Sequence, residues 1–488
     1  MKFLVPLGSR RRLQARSGRP DSLPYILEYL AFIKGFSRSA KLYMVSFSVW
    51  LLAMGLMSID LNLYLLRVGH GESLLGTLVF CVCMASVIFA LPVGRMNSRL
   101  GGWRSLLLVA SVVSAVATLT QVLWPSTGVL VVASWAAGAA RCVWLISYGP
   151  LLADASSDAE RSHLFGFQWS LILAVNVAGS WLGGVLPRWI GALTHAAPDA
   201  VSSLRGALLI GAVLSALSIV PLLALREGEA APRTSGLAAT AKSALADRAP
   251  PPGPDADGPA DGPAAPAGST LARWGLENPV LVTKLIIRNM LGGLGAGLFV
   301  PLLNVFMYGR LGASPVQIGL ILAAASAIGG VTALSAPFLS RRWGKIRVIT
   351  ACGLIGLPLL AAQGFAPSLG AFAVAYIIRA AISNLPGPLF DTFYMEVVGK
   401  RERGMLASLS SMSWDLSWAV GGWLCGVLMQ RVSYTLPYAL ALVFLAVAIG
   451  FFFFSFRSYD PPSAKRRRVH SLRPAGRTWA SVEPPSAR

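Results

Sequence analysis

The feature that most constrains this chain is a series of apolar runs, each about 20 residues long, recurring along nearly all of its length. A helix of about 20 residues crosses the ~30 Å hydrocarbon core of a bilayer and satisfies its own backbone there. Twelve such runs are read, at about 43–66, 74–94, 104–124, 128–153, 164–187, 204–225, 280–308, 316–339, 346–366, 368–396, 405–429 and 434–456. Stretches of this length and number settle the class as membrane-spanning helices. Composition agrees: 13% of residues are charged, against about 25% in soluble domains, and the mean hydropathy is +0.62. The expected fold class is an all-α membrane protein.

A net charge of +21 would suggest a nucleic-acid partner in a soluble chain. Its distribution points elsewhere. Most of the 42 Lys and Arg fall in segments on one side of the twelve spans, while the other side holds Arg67, Arg188, Arg205, Arg310 and Arg431. Basic loops stay in the cytoplasm, so both termini are expected there. The tail "AKRRRVH" reads as an anchor on anionic lipid, and nucleic acid is not expected as a partner. No cleavable leader is read, because the first apolar run begins near Tyr43 after a basic lead.

Five segments follow: a basic arm over 1–42, six spans over 43–225, a linker over 226–279, six more spans over 280–456, and a basic tail over 457–488. The linker "ADRAPPPGPDADGPADGPAAPAGST" is too poor in apolar residues to build a core and is read as disordered. Cys81, Cys83, Cys142, Cys352 and Cys425 all fall inside spans, which argues against disulfides or a metal knuckle. No cofactor or metal site is predicted.

The two sets of six spans look like copies. Arg141 precedes Gly149-Pro150 by eight residues in "AARCVWLISYGPLLAD", and Arg379 precedes Gly387-Pro388 by eight in "IIRAAISNLPGPLFD". Asp154 and Asp391 follow at matching positions. Asn62 matches Asn304, and Glu160-Arg161 matches Glu402-Arg403. These pairs share an offset near 240 residues and keep the same order, which argues for an internal repeat.

Two related six-helix halves joined by a linker resemble the major facilitator superfamily of transporters. The loop between spans 2 and 3, "GRMNSRLGGWR", shares Gly94, Arg99 and Gly101 with that family's Gly-x-x-x-Asp-Arg-x-Gly-Arg signature, but Ser98 replaces the acid. Its second-half counterpart "PFLSRRWGKIR" keeps Arg342, Gly344 and Lys345, with Arg341 in the acid's place. The resemblance implies that spans 1, 4, 7 and 10 line a central cavity. It also implies a cytoplasmic gate built from Arg99 with Asp154 and Arg342 with Asp391. A plain surface salt bridge is the alternative for each pair.

A charge deep in a span costs about 3 kcal/mol or more, so the deep charges carry the functional reading. Asp60, Arg141, Arg288 and Arg379 fall in the four expected cavity helices. Arg141 and Arg379 are candidate substrate ligands, or else they bond carbonyls freed by the nearby prolines. Arg288, one turn after Lys284, is a ligand or a snorkelling side chain. Asn62 and Asn304 complete the expected substrate set. Asp60 is the leading proton-coupling group, with a static Asp–Arg pair as its alternative. Asp415, in "SMSWDLSWAVGG", couples protons or locks span 11 to a neighbour. Trp50, Trp144, Tyr148 and Trp414 either face the cavity or pack. Gly179, Gly183, Gly422 and Gly426 form small-xxx-small seats for close helix packing, and "GGLGAGLF" in span 7 is read as a flexible segment.

The implied function is secondary transport of a small anionic or zwitterionic solute by alternating access, coupled to protons, by a monomer in the plasma (inner) membrane. Export of lipophilic drugs is the alternative, and a non-transporting sensor or scaffold ranks lower. No nucleophile, metal cluster or phosphate loop suggests an enzyme.

Overall fold

The computed structural model describes residues 36–99, 102–154, 161–225, 279–333, 335–397 and 403–457. The first half contains α1 Arg38–Val68, α2 Glu72–Arg99, α3 Trp103–Leu123, α4 Thr127–Asp154, α5 Arg161–Thr194, α6 Val201–Leu217 and the short α7 Ile219–Leu223. The second contains α8 Pro279–Gly297, α9 Leu303–Leu311, α10 Pro315–Ala333, α11 Ala336–Trp343, α12 Lys345–Gly364, α13 Leu369–Asn384, α14 Pro386–Val397, α15 Arg403–Arg431 and α16 Leu436–Phe456. No strand occurs among the described residues.

Among the described residues, eleven helical segments are long and apolar enough to cross a membrane. The remaining expected crossing is α15, which has 29 residues but is less apolar because serines and Asp415 interrupt its tryptophans and leucines. At 31 residues, α1 rises about 46 Å and overshoots the hydrocarbon core. Ser37 caps its start by accepting a hydrogen bond from the Ala40 amide at 3.2 Å. Gly69 ends it at φ 107°, a left-handed conformation that a side chain would strain.

Prolines do not break the crossings that carry the two arginines. The tenth crossing is divided into α13 and α14 at Leu385, but Leu385 keeps helical angles of φ −64° and ψ −40°, so the expected interruption at Pro386-Gly387-Pro388 is slight. Likewise α4 continues through Pro150 to Asp154, and the expected interruption at Gly149-Pro150 does not occur. The seventh crossing breaks between α8 and α9.

Helix pairing repeats between the halves. In the first, α1 packs on α5 and α6, α4 on α2 and α3, and α3 on α6. In the second, α8 packs on α15 and α16, α13 on α10 and α12, and α12 on α16. The halves meet along two seams, α2 against α15 and α5 against α10. Glycine permits both. A Cβ on Gly184 would lie 2.8 Å from Gly319 Cα, and one on Gly426 would lie 2.9 Å from Gly76 Cα. Gly179 and Gly183 seat α5 against Gly55 and Leu56 of α1. The span 7 glycines also serve contact: Gly293 and Gly297 face the backbone of Trp414 and Trp418 on α15.

One buried core, containing Leu63, Tyr64, Phe299, Phe306 and Tyr438, is shared by both halves. Two others stay within single halves, one around Trp50, Trp144 and Leu222, the other around Leu285, Phe393 and Phe456. The shared core lies at the face opposite the helix ends near Arg38 and Phe456, called here the far face. The separate cores lie at the terminal face.

Candidate functional site

The deep charges do not converge on one cavity. Arg141 on α4 is half-buried and donates to Ser86 Oγ on α2 at 3.3 Å. Ser86 is fixed in turn, donating to the carbonyls of Val82 and Gly138 at 3.1 Å each. The charge of Arg141 reaches Asp415 on α15, across the seam between the halves. The thiols of Cys83 and Cys142 feel both charges. Arg141 and Asp415 form no direct ion pair. Opposite charges therefore stand on opposite halves, within electrostatic influence of each other and without a direct ion pair.

Arg288 and Arg379 lie elsewhere. Both line a cavity of about 260 Å³ whose residues all belong to the second half, from α8, α12, α13, α14, α15 and α16 and the turn after α8. Arg288 Nη1 donates to Asn289 Oδ1 at 3.0 Å and to Tyr394 Oη at 3.4 Å. Its guanidinium sits 3.5 Å from the centre of the Phe390 ring. Arg379 lies 4.8 Å from the Phe299 ring centre, and its buried Nε has no partner. It therefore does not bond the carbonyls near Pro386. Trp414 lines this cavity, whereas Trp50 and Trp144 stack on each other at 5.2 Å in the first-half core. Tyr148 is half-buried against Phe165.

Asp60 is fully buried in α1, and neither carboxylate oxygen has a hydrogen-bond partner. Among the described residues, no arginine pairs with it. Asn62 and Asn304 meet each other instead of a shared cavity. Asn62 Nδ2 donates to Asn304 Oδ1 at 3.1 Å, and Asn304 Nδ2 donates to the carbonyls of Ser58 at 3.1 Å and Ile59 at 2.9 Å. Further bonds join the halves at the same far face: Tyr434 to Glu72, the Ser73 amide to Gln430 at 2.9 Å, and Tyr308 to Asp199 at 3.3 Å. Asp199 also pairs with Arg67. Of the expected gate, Arg342 is exposed, while the side chains of Arg99, Asp154 and Asp391 lie outside the described residues.

Several residues that complete these sites were not predicted. Asn289 and Tyr394 hold Arg288, and Thr350 and Phe299 line the cavity. Asn289 was the one legible hint, since a buried amide in a span needs a partner. It donates to the Ser410 carbonyl at 3.2 Å.

The profile of the Major Facilitator Superfamily matches residues 285–484. No curated protein matches. Among solved structures, a D-xylose–proton symporter superposes with a TM-score of 0.64 at 14% identity, covering 87% of this chain and 97% of that one. A bacterial homologue of the human lysosomal transporter Spinster, inward-facing and unoccupied, gives 0.62 at 15% identity, covering 90% and 98%. The nucleoside transporter NupG gives 0.60 at 13% identity, covering 86% and 98%. At these identities the likeness is one of fold.

Proposed function

We propose that the chain is a member of the major facilitator superfamily, whose profile matches its second half, and that it is a secondary transporter of a small organic anion or zwitterion. One observation carries the reading: Arg141 and Asp415 stand on opposite halves at the α2–α15 seam, the charge of the one acting on the other with no direct ion pair between them. A carboxylate on the solute takes the Arg141 guanidinium through charge-assisted hydrogen bonds. In a zwitterion, the ammonium takes Asp415. When an anion alone binds, Asp415 loses the influence of Arg141 and accepts a proton in its place, which couples the two movements. Asp60 is the second coupling group: an ionised carboxylate without a partner in a dry interior costs several kcal/mol.

Alternating access follows from the way the halves hold together. The Asn62–Asn304 bonds and the shared core close the far face, while the cores separate at the terminal face. A monomer in the plasma membrane, with cytoplasmic termini resting on anionic lipid, fits the charge distribution. Export of lipophilic compounds is favoured by a different feature, the largely apolar second-half cavity.

The test is uptake into proteoliposomes from a panel of anionic, zwitterionic and cationic solutes, with and without an imposed pH gradient. Anion or zwitterion transport driven by the gradient is expected. Transport confined to lipophilic cations would replace this reading with the exporter.

A further inference from the structure

We infer that the cavity inside the second half is a ligand site in its own right, separate from the cleft between the halves, and that it takes a small anion with an apolar body. Its volume of about 260 Å³ equals that of roughly nine liquid waters, room for a carboxylate with a short chain or one ring. The walls are mostly apolar, with Phe299, Phe390, Leu360 and Ile449 among them. Space along α12 comes from glycine: a Cβ on Gly356 would meet only Ser383 Oγ, at 3.7 Å.

Against these walls stand two guanidiniums. Aromatic faces offset part of the cost of burying them, and Asn289 and Tyr394 take one nitrogen of Arg288. Arg379 has no such support, and its Nε is buried and unpartnered. Thr350, on the same wall, has a buried hydroxyl that is also unpartnered. Among the described residues, no carboxylate forms an ion pair with either arginine. Two like charges facing one low-dielectric space repel each other, and each carries a desolvation cost. A carboxylate between them relieves both effects and gives the Arg379 Nε and the Thr350 hydroxyl their missing partners. An inorganic anion would leave the apolar walls uncovered, and a neutral lipophile would leave the charges unmet. An anionic head on an apolar body meets both requirements.

The cleft charge on α15 lies on a different face of that helix from the cavity. Asp415 faces Arg141 of the first half, while Trp414, one residue earlier and so about 100° around the helix, lines the cavity. Occupancy of the cavity can thus be separated experimentally from transport through the cleft.

The test is equilibrium dialysis of radiolabelled octanoate against the full-length protein in maltoside micelles. One saturable site is expected. Arg379→Gln and Arg288→Gln should weaken it by about tenfold or more, the loss of a charge-assisted bond. Gly356→Val should do the same by filling the space while leaving both charges in place. Arg67→Ala, at the exposed far-face pair with Asp199, should leave octanoate affinity within about threefold, as for distant sites, and 1-octanol should fail to compete. Octanoate binding indifferent to the Arg288, Arg379 and Gly356 variants, displaced equally by 1-octanol, or lost in Arg67→Ala would overturn the inference. Should an arginine variant fail to elute as a single species, Gly356→Val decides the matter alone.

Discussion

Arg141 and Arg379 hold the same place in the two halves, eight residues before a Gly-Pro pair, yet their surroundings differ. Arg141 lies at the seam, bonded to Ser86 and within reach of Asp415. Arg379 turns into its own half, over Phe299, with a nitrogen unpartnered. Helix continuity does not explain the difference: α4 runs through Pro150, and Leu385 before Pro386 keeps helical backbone angles. A repeat thus keeps a residue's depth while its packing sets which space the side chain enters.

The strongest way to sharpen this comparison is to give one half the other's residue. Asp60 is matched at the repeat offset by Leu302, and both are fully buried. Asp60→Leu should stabilise the protein by about 1–3 kcal/mol, by replacing an unpartnered buried polar group with an apolar one. It should also remove the pH-gradient dependence of uptake. Thermal unfolding and a gradient assay check the two effects.

The Asn62–Asn304 contact, where the repeat meets itself, is the next place to press. Asn304→Ala removes bonds to Asn62, Ser58 and Ile59 and should weaken far-face closure by about 1–2 kcal/mol. Spin labels at Val68 and Arg310, both exposed, should then report longer separations by electron–electron resonance. Arg67→Ala removes an exposed pair with Asp199. It should shift the same distances little, since such pairs are worth under about 1 kcal/mol.

The smallest effect concerns pH. Burial, followed by the hydrogen bond to Glu72 and its charge, holds the Tyr434 phenol above the ordinary tyrosine value. The folded state therefore favours the neutral phenol. Its contribution is complete below about pH 10 and is lost as pH rises beyond it. Alkaline denaturation should show this loss in the wild type and not in Tyr434→Phe.

Much of the fold was legible because hydropathy and repeat spacing are local signals. The first span, read as 43–66, is the helix Arg38–Val68. The glycine seats of α5 and α15 were also legible, since small-xxx-small spacing depends on one helix alone. The continuity of both helices at Pro150 and Pro386 was not readable, because a helix tolerates proline where its neighbours support the turn. The deep arginines could be found by depth, but not their destinations. Which face of a helix meets a cavity depends on partners distant in the chain. For that reason Asp60 and Asp415 looked alike in the sequence, although Asp415 lies within reach of Arg141 and Asp60 has no partner. The role of Asn62 and Asn304 was hidden for the same reason, since their bonds span some 240 residues of sequence.

The central claim is that Arg141 and Asp415 act as one unit across the halves, and a double-mutant cycle on transport tests it most directly. Initial rates in proteoliposomes would be measured for Arg141→Gln, Asp415→Asn and the pair together. The account predicts that each single change lowers uptake by about a hundredfold, the effect of truncating one member of a desolvated charge pair. The double variant should be no worse than the poorer single. Near wild-type uptake in Arg141→Gln, or losses that multiply in the double variant, would contradict it.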